Sequence, residues 1–155
     1  MSQPSAPAQP VTCLVTGATG YVGGRLVPEL LAEGYRVRCM ARRAARLSGF
    51  PWIGQVEVAE ADALDPGSLR RALTGVDVAY YLTHALGSGP AFEATDRAAA
   101  ETFAGCARAA GVSRIIYLGG LRTPDGALSP HLRSRAEVGD ILLRSGVPAA
   151  VLRAG

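Results

Sequence analysis

Lysine and asparagine are absent from this chain, and all sixteen basic residues are arginine. Without lysine there is no amine for Schiff-base chemistry and no ammonium point charge. Although 48% of the residues are hydrophobic, no apolar run approaches the roughly 18 needed to cross a bilayer. Cysteine is scarce and odd in number: Cys13, Cys39 and Cys106 lie in apolar strand or helix patterns. They read as small buried hydrophobes in a reducing cytoplasm, not as bridges or metal ligands, so no metal site is expected. Residues 1–10 contain no basic or apolar region, which argues against a signal peptide. Their Pro, Ser, Gln and Ala content reads as a disordered tail. The net charge of +3 comes from dispersed arginines without basic–aromatic alternation, which argues against a nucleic-acid partner.

What is present is a regular alternation. At 155 residues the chain is long enough for one domain with a real core, expected over 11–155. Strands are predicted at 11–15, 36–40, 56–59, 78–82, 115–118 and 149–152. Runs such as Val78-Ala79-Tyr80-Tyr81-Leu82 suit strands buried on both faces of a parallel sheet. Between them lie helical patterns. Val22, Leu26 and Leu30 share one predicted face, with Val27 and Leu31 beside it, and Pro28 is expected to kink or loosen that helix. Asp65-Pro66 opens a second helix, stopped by Gly75. A longer one over 92–110 turns Ala99, Phe103, Cys106 and Ala110 inward and ends at Gly111. Ser129-Pro130 starts the last, closed by Gly146 and Pro148. Strands alternating with helices predict an α/β fold, a doubly wound parallel sheet in three αβα layers (a Rossmann fold). Such sheets bind ligands beyond the carboxyl ends of the strands, where strand order reverses.

The first strand runs straight into Gly17-Ala18-Thr19-Gly20-Tyr21-Val22-Gly23, and a helical pattern follows at once. Glycine admits positive φ and close backbone approach, and the helix start offers unpaired N–H groups at the positive end of its dipole. Strand, glycine turn and helix N-terminus together make a pyrophosphate site. The spacing is G-x-x-G-x-x-G, one residue longer in its first gap than the usual dinucleotide fingerprint, so the flanking strand and helix carry the weight. A Walker-type phosphate loop is rejected because no Gly-Lys-Ser/Thr follows.

In NAD-preferring sheets an acid ends the second strand and holds the adenosine ribose 2′-OH. Here Ala41 stands there, followed by Arg42 and Arg43. Nothing at that position repels a 2′-phosphate, and either guanidinium can grip one through its fork of donors. NADP(H) is therefore the expected cofactor, with NAD second. Ala41 also speaks against a methyltransferase, which wants an acid for the ribose hydroxyls. Arg46 reads as part of a solvated basic surface helix. Asp62 and Ala63, after the third strand, are candidates for the adenine edge. Thr83 and His84 leave the fourth strand near the expected nicotinamide end, where a lone histidine reads as a polar loop residue.

Thr16 to Gly23, the Asp62-Ala63 pair and Ile115-Ile116-Tyr117-Leu118 resemble the short-chain dehydrogenase/reductase superfamily, with the glycine spacing of its extended and atypical branches. Tyr81-Leu82-Thr83-His84 and His131-Leu132-Arg133-Ser134-Arg135 resemble its NmrA-like NAD(P)H-binding group. The resemblance implies pyrophosphate contacts from Gly17, Thr19, Gly20, Tyr21, Val22 and Gly23. It implies Arg42 for the 2′-phosphate, Asp62 and Ala63 for adenine, and Leu82 and Thr83 for the ribose side. Active members of that superfamily use a serine after the fifth strand and Tyr-x-x-x-Lys on the next helix. This chain has Leu118-Gly119-Gly120-Leu121 and the pair His131 and Arg135 instead. The usual work of the superfamily implies an NADP-dependent oxidoreductase or epimerase-like enzyme acting on a small molecule. The missing Ser-Tyr-Lys set implies the alternative, a non-catalytic NADP(H) redox sensor. Because the sequence stops just after the sixth strand, the substrate-covering segments of those branches are expected to be missing from it.

Overall fold

A computed structural model describes residues 9–84, 90–121 and 129–154. Most of the predicted N-terminal tail lies outside the described residues. Among the described residues six strands and four α-helices follow in the order β1 (Thr12–Thr16), α1 (Tyr21–Ala32), β2 (Arg36–Ala41), β3 (Glu57–Glu60), α2 (Pro66–Leu73), β4 (Val78–Tyr81), α3 (Pro90–Ala109), β5 (Arg114–Gly120), α4 (Pro130–Leu143) and β6 (Ala149–Ala154). The strands form one parallel sheet in the order β3-β2-β1-β4-β5-β6. Strand order therefore reverses between β1 and β4, the crevice where such sheets take ligands. The expected doubly wound α/β architecture is what the chain adopts.

The period-two alternation of strand side chains divides the core in two. Leu14, Met40, Ala79, Tyr81, Ile115 and Tyr117 face α2, α3 and α4, meeting Leu69, Leu73, Phe103, Val138 and Leu142. Cys13, Val15, Val37 and Cys39 face the other way, against Val27 and Leu30 of α1 together with Leu47 and Trp52. All five residues of β1 are buried, as a central strand covered on both faces requires. Each large side chain so enclosed contributes about 1.5–3 kcal/mol.

The helix ends follow local chemistry. Asp65 accepts hydrogen bonds from the amides of Gly67 and Ser68, and Pro66 fills the first turn of α2. Ser129 accepts from Leu132 N–H at the start of α4. Gly75, Gly111 and Gly146 take positive φ after α2, α3 and α4, as their predicted stop positions require. Arginine's fork is used structurally at Arg38, which donates to Glu57 at 2.8 Å and to the carbonyls of Ala72 and Thr74 at the end of α2.

Three expectations are corrected. The connection from β2 to β3 is not an α-helix but two 3₁₀ turns, Ala44–Leu47 and Ile53–Gln55. Gly49, Pro51 and Gly54 punctuate this segment too often for an α-helix to propagate. A stacked aromatic pair covers that part of the sheet instead: Phe50 and Trp52 lie 4.7 Å apart, and Trp52 Nε1 donates to the Gly24 carbonyl of α1. On α1 the inward line is Gly23, Val27 and Leu30, while Val22 is exposed, so the buried stripe lies one residue further round. Ala110 is exposed because α3 has already ended at Ala109. Pro28 is accommodated inside α1 without ending it.

All three cysteines are free and buried. Burial, assisted by Asp77, pushes the Cys13 thiol up to about 11, and burial pushes Cys39 up to about 12. The native protein should therefore react negligibly with a thiol-disulfide reagent near about pH 8, where thiolate is the attacking species. Three equivalents should react after denaturation, a count set by the three cysteines of the sequence. Fast labelling of the native state would contradict this burial.

Candidate functional site

Backbone hydrogen bonds shape the glycine turn. Gly17 has φ of 68°, Gly20 N–H donates to the Gly17 carbonyl at 3.0 Å, and Gly24 N–H donates to Gly20 at 2.9 Å. A β-carbon on Gly23 would lie 2.3 Å from Gly17 O, and one on Gly17 would lie 2.8 Å from Leu82 O. Neither obstacle is a flexible side chain, so neither can move aside. Helices α2 and α4 have side-chain caps, whereas α1 begins at Gly20 with no side-chain cap and no acid in its first turn. Its leading amides and dipole are thus left for an external anion. Thr19, Gly20, Tyr21 and Val22 are exposed around them, and the Arg25 guanidinium sits 4.8 Å above the Tyr21 ring.

Thr16 fixes this turn to the strand across the crevice. Its hydroxyl donates to the Tyr80 carbonyl at 3.2 Å and accepts from Leu82 N–H at 2.9 Å. The carboxyl ends of β1 and β4 are therefore stitched together where Leu82 and Thr83 leave the sheet, half-buried. Sequence reasoning gave Thr16 no role of its own; a hydroxyl residue at the carboxyl end of a buried strand, just before the glycine turn, was the available signal.

The other predicted residues surround the same strand ends. Ala41 ends β2, and Arg42 and Arg43 follow it as exposed side chains without an ion-pair partner among the described residues. Arg46 is exposed as well. Asp62 and Ala63 follow β3 half-buried, with the Asp62 carboxylate accepting from Leu64 N–H at 2.9 Å.

The far end of the crevice is built differently. A β-carbon on Gly120, in β5, would lie 2.6 Å from Leu132 Cδ2, the tip of an α4 side chain. His131 is exposed, its ring 4.9 Å from Phe92, and Arg135 is exposed one turn later. Beneath them α3 and α4 are joined by three polar contacts: Glu93 to Arg133, Asp96 to Ser134 and Arg97 to Glu137. The middle one is buried, with Ser134 Oγ donating to Asp96 at 2.9 Å. No periodicity argument pointed to it.

His84 is more enclosed than a polar loop residue. Its Nδ1 is buried without a hydrogen-bond partner among the described residues, and its ring stands edge-on to Tyr117 with centroids 5.7 Å apart. Burial first, then the Arg135 charge, lowers its pKa below the ordinary histidine value, while Asp96 and a hydrogen bond to the Leu118 backbone act against them. Tyr117 itself is raised, chiefly by burial, and its hydroxyl donates to the Arg135 carbonyl at 3.1 Å.

Two tests follow. Gly23→Ala should cost about 1–3 kcal/mol through overpacking against backbone, read as a lowered urea midpoint; an unchanged midpoint would show that the turn yields. The depressed His84 pKa means that the unfolded chain takes up this proton first. Its contribution is complete above the ordinary value of about 6.5 and is lost as pH falls through the lower native value. His84→Gln should therefore flatten the loss of stability between about pH 7 and pH 5. Parallel pH profiles for both proteins would reject the assignment.

Comparison with known proteins points the same way as the geometry. The NAD(P)H-binding family profile matches residues 17–154. A (4-alkanoyl-5-oxo-2,5-dihydrofuran-3-yl)methyl phosphate reductase of Streptomyces griseus is 36% identical over 141 residues, covering 90% of this chain and 46% of that protein. A ceramide reductase of Caulobacter vibrioides is 30% identical over 140 residues, 89% of this chain and 43% of that one. Among solved structures, the triphenylmethane reductase of a Citrobacter species, complexed with NADP(H), superposes with a TM-score of 0.75 at 26% identity, over 92% of this chain and 48% of that one. The chain thus spans less than half the length of each of these proteins.

Proposed function

Because the chain belongs to the NAD(P)H-binding family and has the fold of the atypical short-chain dehydrogenase/reductases, we propose that it is the nucleotide-binding part of an oxidoreductase that favours NADP(H). The observation that carries this reading is the uncapped start of α1 beside a turn in which Gly23 and Gly17 admit no side chain. A helix start with free leading amides, set beside a turn packed this closely, fits an anion such as a pyrophosphate.

In this reading Gly17, Thr19, Gly20, Tyr21, Val22 and Gly23 border the pyrophosphate. Arg42 and Arg43 take the 2′-phosphate, Asp62 and Ala63 the adenine, and Leu82 and Thr83 the ribose on the nicotinamide side. The chemistry that the bound nicotinamide would supply is hydride transfer. The protein's own share is to bind and orient. Thr16 holds the crevice walls at one separation, and the permanently charged Arg135 stands one turn from His131. Proton transfer of the Ser-Tyr-Lys kind is not part of this proposal, because Gly119, Gly120, His131 and Arg135 offer neither hydroxyl nor lysine. The reductase names of the relatives support an oxidoreductase setting.

Titration of the chain with NADPH and NADH, by fluorescence or calorimetry, tests the assignment. NADPH should bind more tightly, and Arg42→Ala should weaken NADPH alone by roughly ten- to hundred-fold, the value of one charge-assisted hydrogen bond. Equal binding of the two nucleotides, indifferent to Arg42→Ala, would remove the 2′-phosphate assignment.

A further inference from the structure

The second strand ends without an acid, but the neighbouring strand supplies one in register. Ala41 of β2 pairs with Glu60 of β3, and adjacent strands lie only about 4.8 Å apart. Glu60 is exposed, and its Oε1 accepts a hydrogen bond from Ala44 N–H at 2.8 Å, just past Arg42 and Arg43. The carboxylate is thereby held against the segment that leaves β2. Its second oxygen, Oε2, has no hydrogen bond among the described residues. Nor is the charge cancelled by an ion pair there, since the ion pairs of β2 and β3 are made by Glu57 with Arg36 and Arg38.

Resting on the nucleotide reading above, we propose that Glu60 is a specificity-determining residue that reads the 2′ position of the adenosine ribose from the adjoining strand. A carboxylate with one oxygen committed to Ala44 presents the other as an acceptor for a ribose 2′-hydroxyl. Toward a 2′-phosphate the same charge is repulsive, and it opposes the attraction of Arg42 and Arg43. The two influences come from different strands and have opposite sign, so this chain takes both nucleotides with NADP(H) only moderately preferred. The acid that Ala41 seemed to have removed is displaced by one strand. A search for it along β2 alone misses it, because register is a property of the sheet.

Glu60→Gln removes the charge and keeps an oxygen that can still accept from Ala44 N–H, so the segment after β2 stays anchored. Calorimetric titration of the wild-type chain, Glu60→Gln and Glu60→Ala with NADPH and NADH should move the affinity ratio toward NADPH. NADPH should gain about two- to tenfold, the size of one unit charge acting on a phosphate several ångström away through screened solvent, and NADH should lose affinity. The gain should shrink when salt is raised to about 0.5 M. A ratio of NADPH to NADH affinity that stays fixed, whether both change together or neither does, overturns the role of Glu60 while leaving nucleotide binding intact. Absence of binding by the wild-type chain to either nucleotide overturns the nucleotide reading and this inference with it.

Discussion

Everything in the crevice depends on how closely two pieces of backbone approach each other at the end of β1. The carbonyl of Gly17 lies where a side chain on Gly23 would have to be, and the carbonyl of Leu82 crowds Gly17 from the other wall. With no β-carbon at either place, α1 can begin directly at the edge of the sheet, its first amides facing outward and free of any side-chain cap. Thr16 completes the constraint by bonding β4 with both its donor and its acceptor capacity. The result is a narrow cleft of fixed width between two parallel strands, which is the physical requirement for gripping a diphosphate by main chain.

The two flanks of that cleft are stabilised by different means. On the α1 side the covering layer is thin: the chain between β2 and β3 makes only 3₁₀ turns, and Phe50 with Trp52 closes the sheet by stacking and by one hydrogen bond to Gly24. The opposite side is a full helical layer whose second and third helices are joined by a buried Asp96–Ser134 bond between two exposed ion pairs. Exposed pairs of this kind contribute little individually, about 0–1 kcal/mol each. The buried bond matters more for register, since leaving the Asp96 carboxylate short of a partner inside the core is costly. It sets α4, and with it His131 and Arg135, over the ends of β4 and β5.

Helix α4 packs closely over that end of the crevice. The Leu132 side chain of α4 fills the space beside Gly120, its Cδ2 lying 2.6 Å from where a β-carbon would stand. His84 is drawn into the same region, edge-on to Tyr117 and facing the Arg135 and Asp96 charges, with burial holding the imidazole neutral. A buried nitrogen without a hydrogen-bond partner among the described residues departs from the usual satisfaction of buried polar groups, and it lies at the strand ends where ligands of this fold bind.

Local chemistry in the chain was enough to determine the alternation of strands and helices, their capped starts at Asp65 and Ser129 and their glycine stops. It was also enough for the glycine turn at 17–23 and the helix that follows it, because each of these depends on neighbours a few residues apart. The buried stripe of α1 was displaced by one position from its pattern, since Val22 belongs to the mouth of the crevice rather than the core. The layer over β2 and β3 was not legible, because there the covering is made by contacts of Trp52 with a helix twenty-eight residues away. Only the tertiary structure decided that Thr16 spans to β4, that Ser134 meets Asp96, and that Glu60 lies beside Ala41. Those pairings join positions separated by 19 to 64 residues through strand register and helix packing, which no local periodicity encodes.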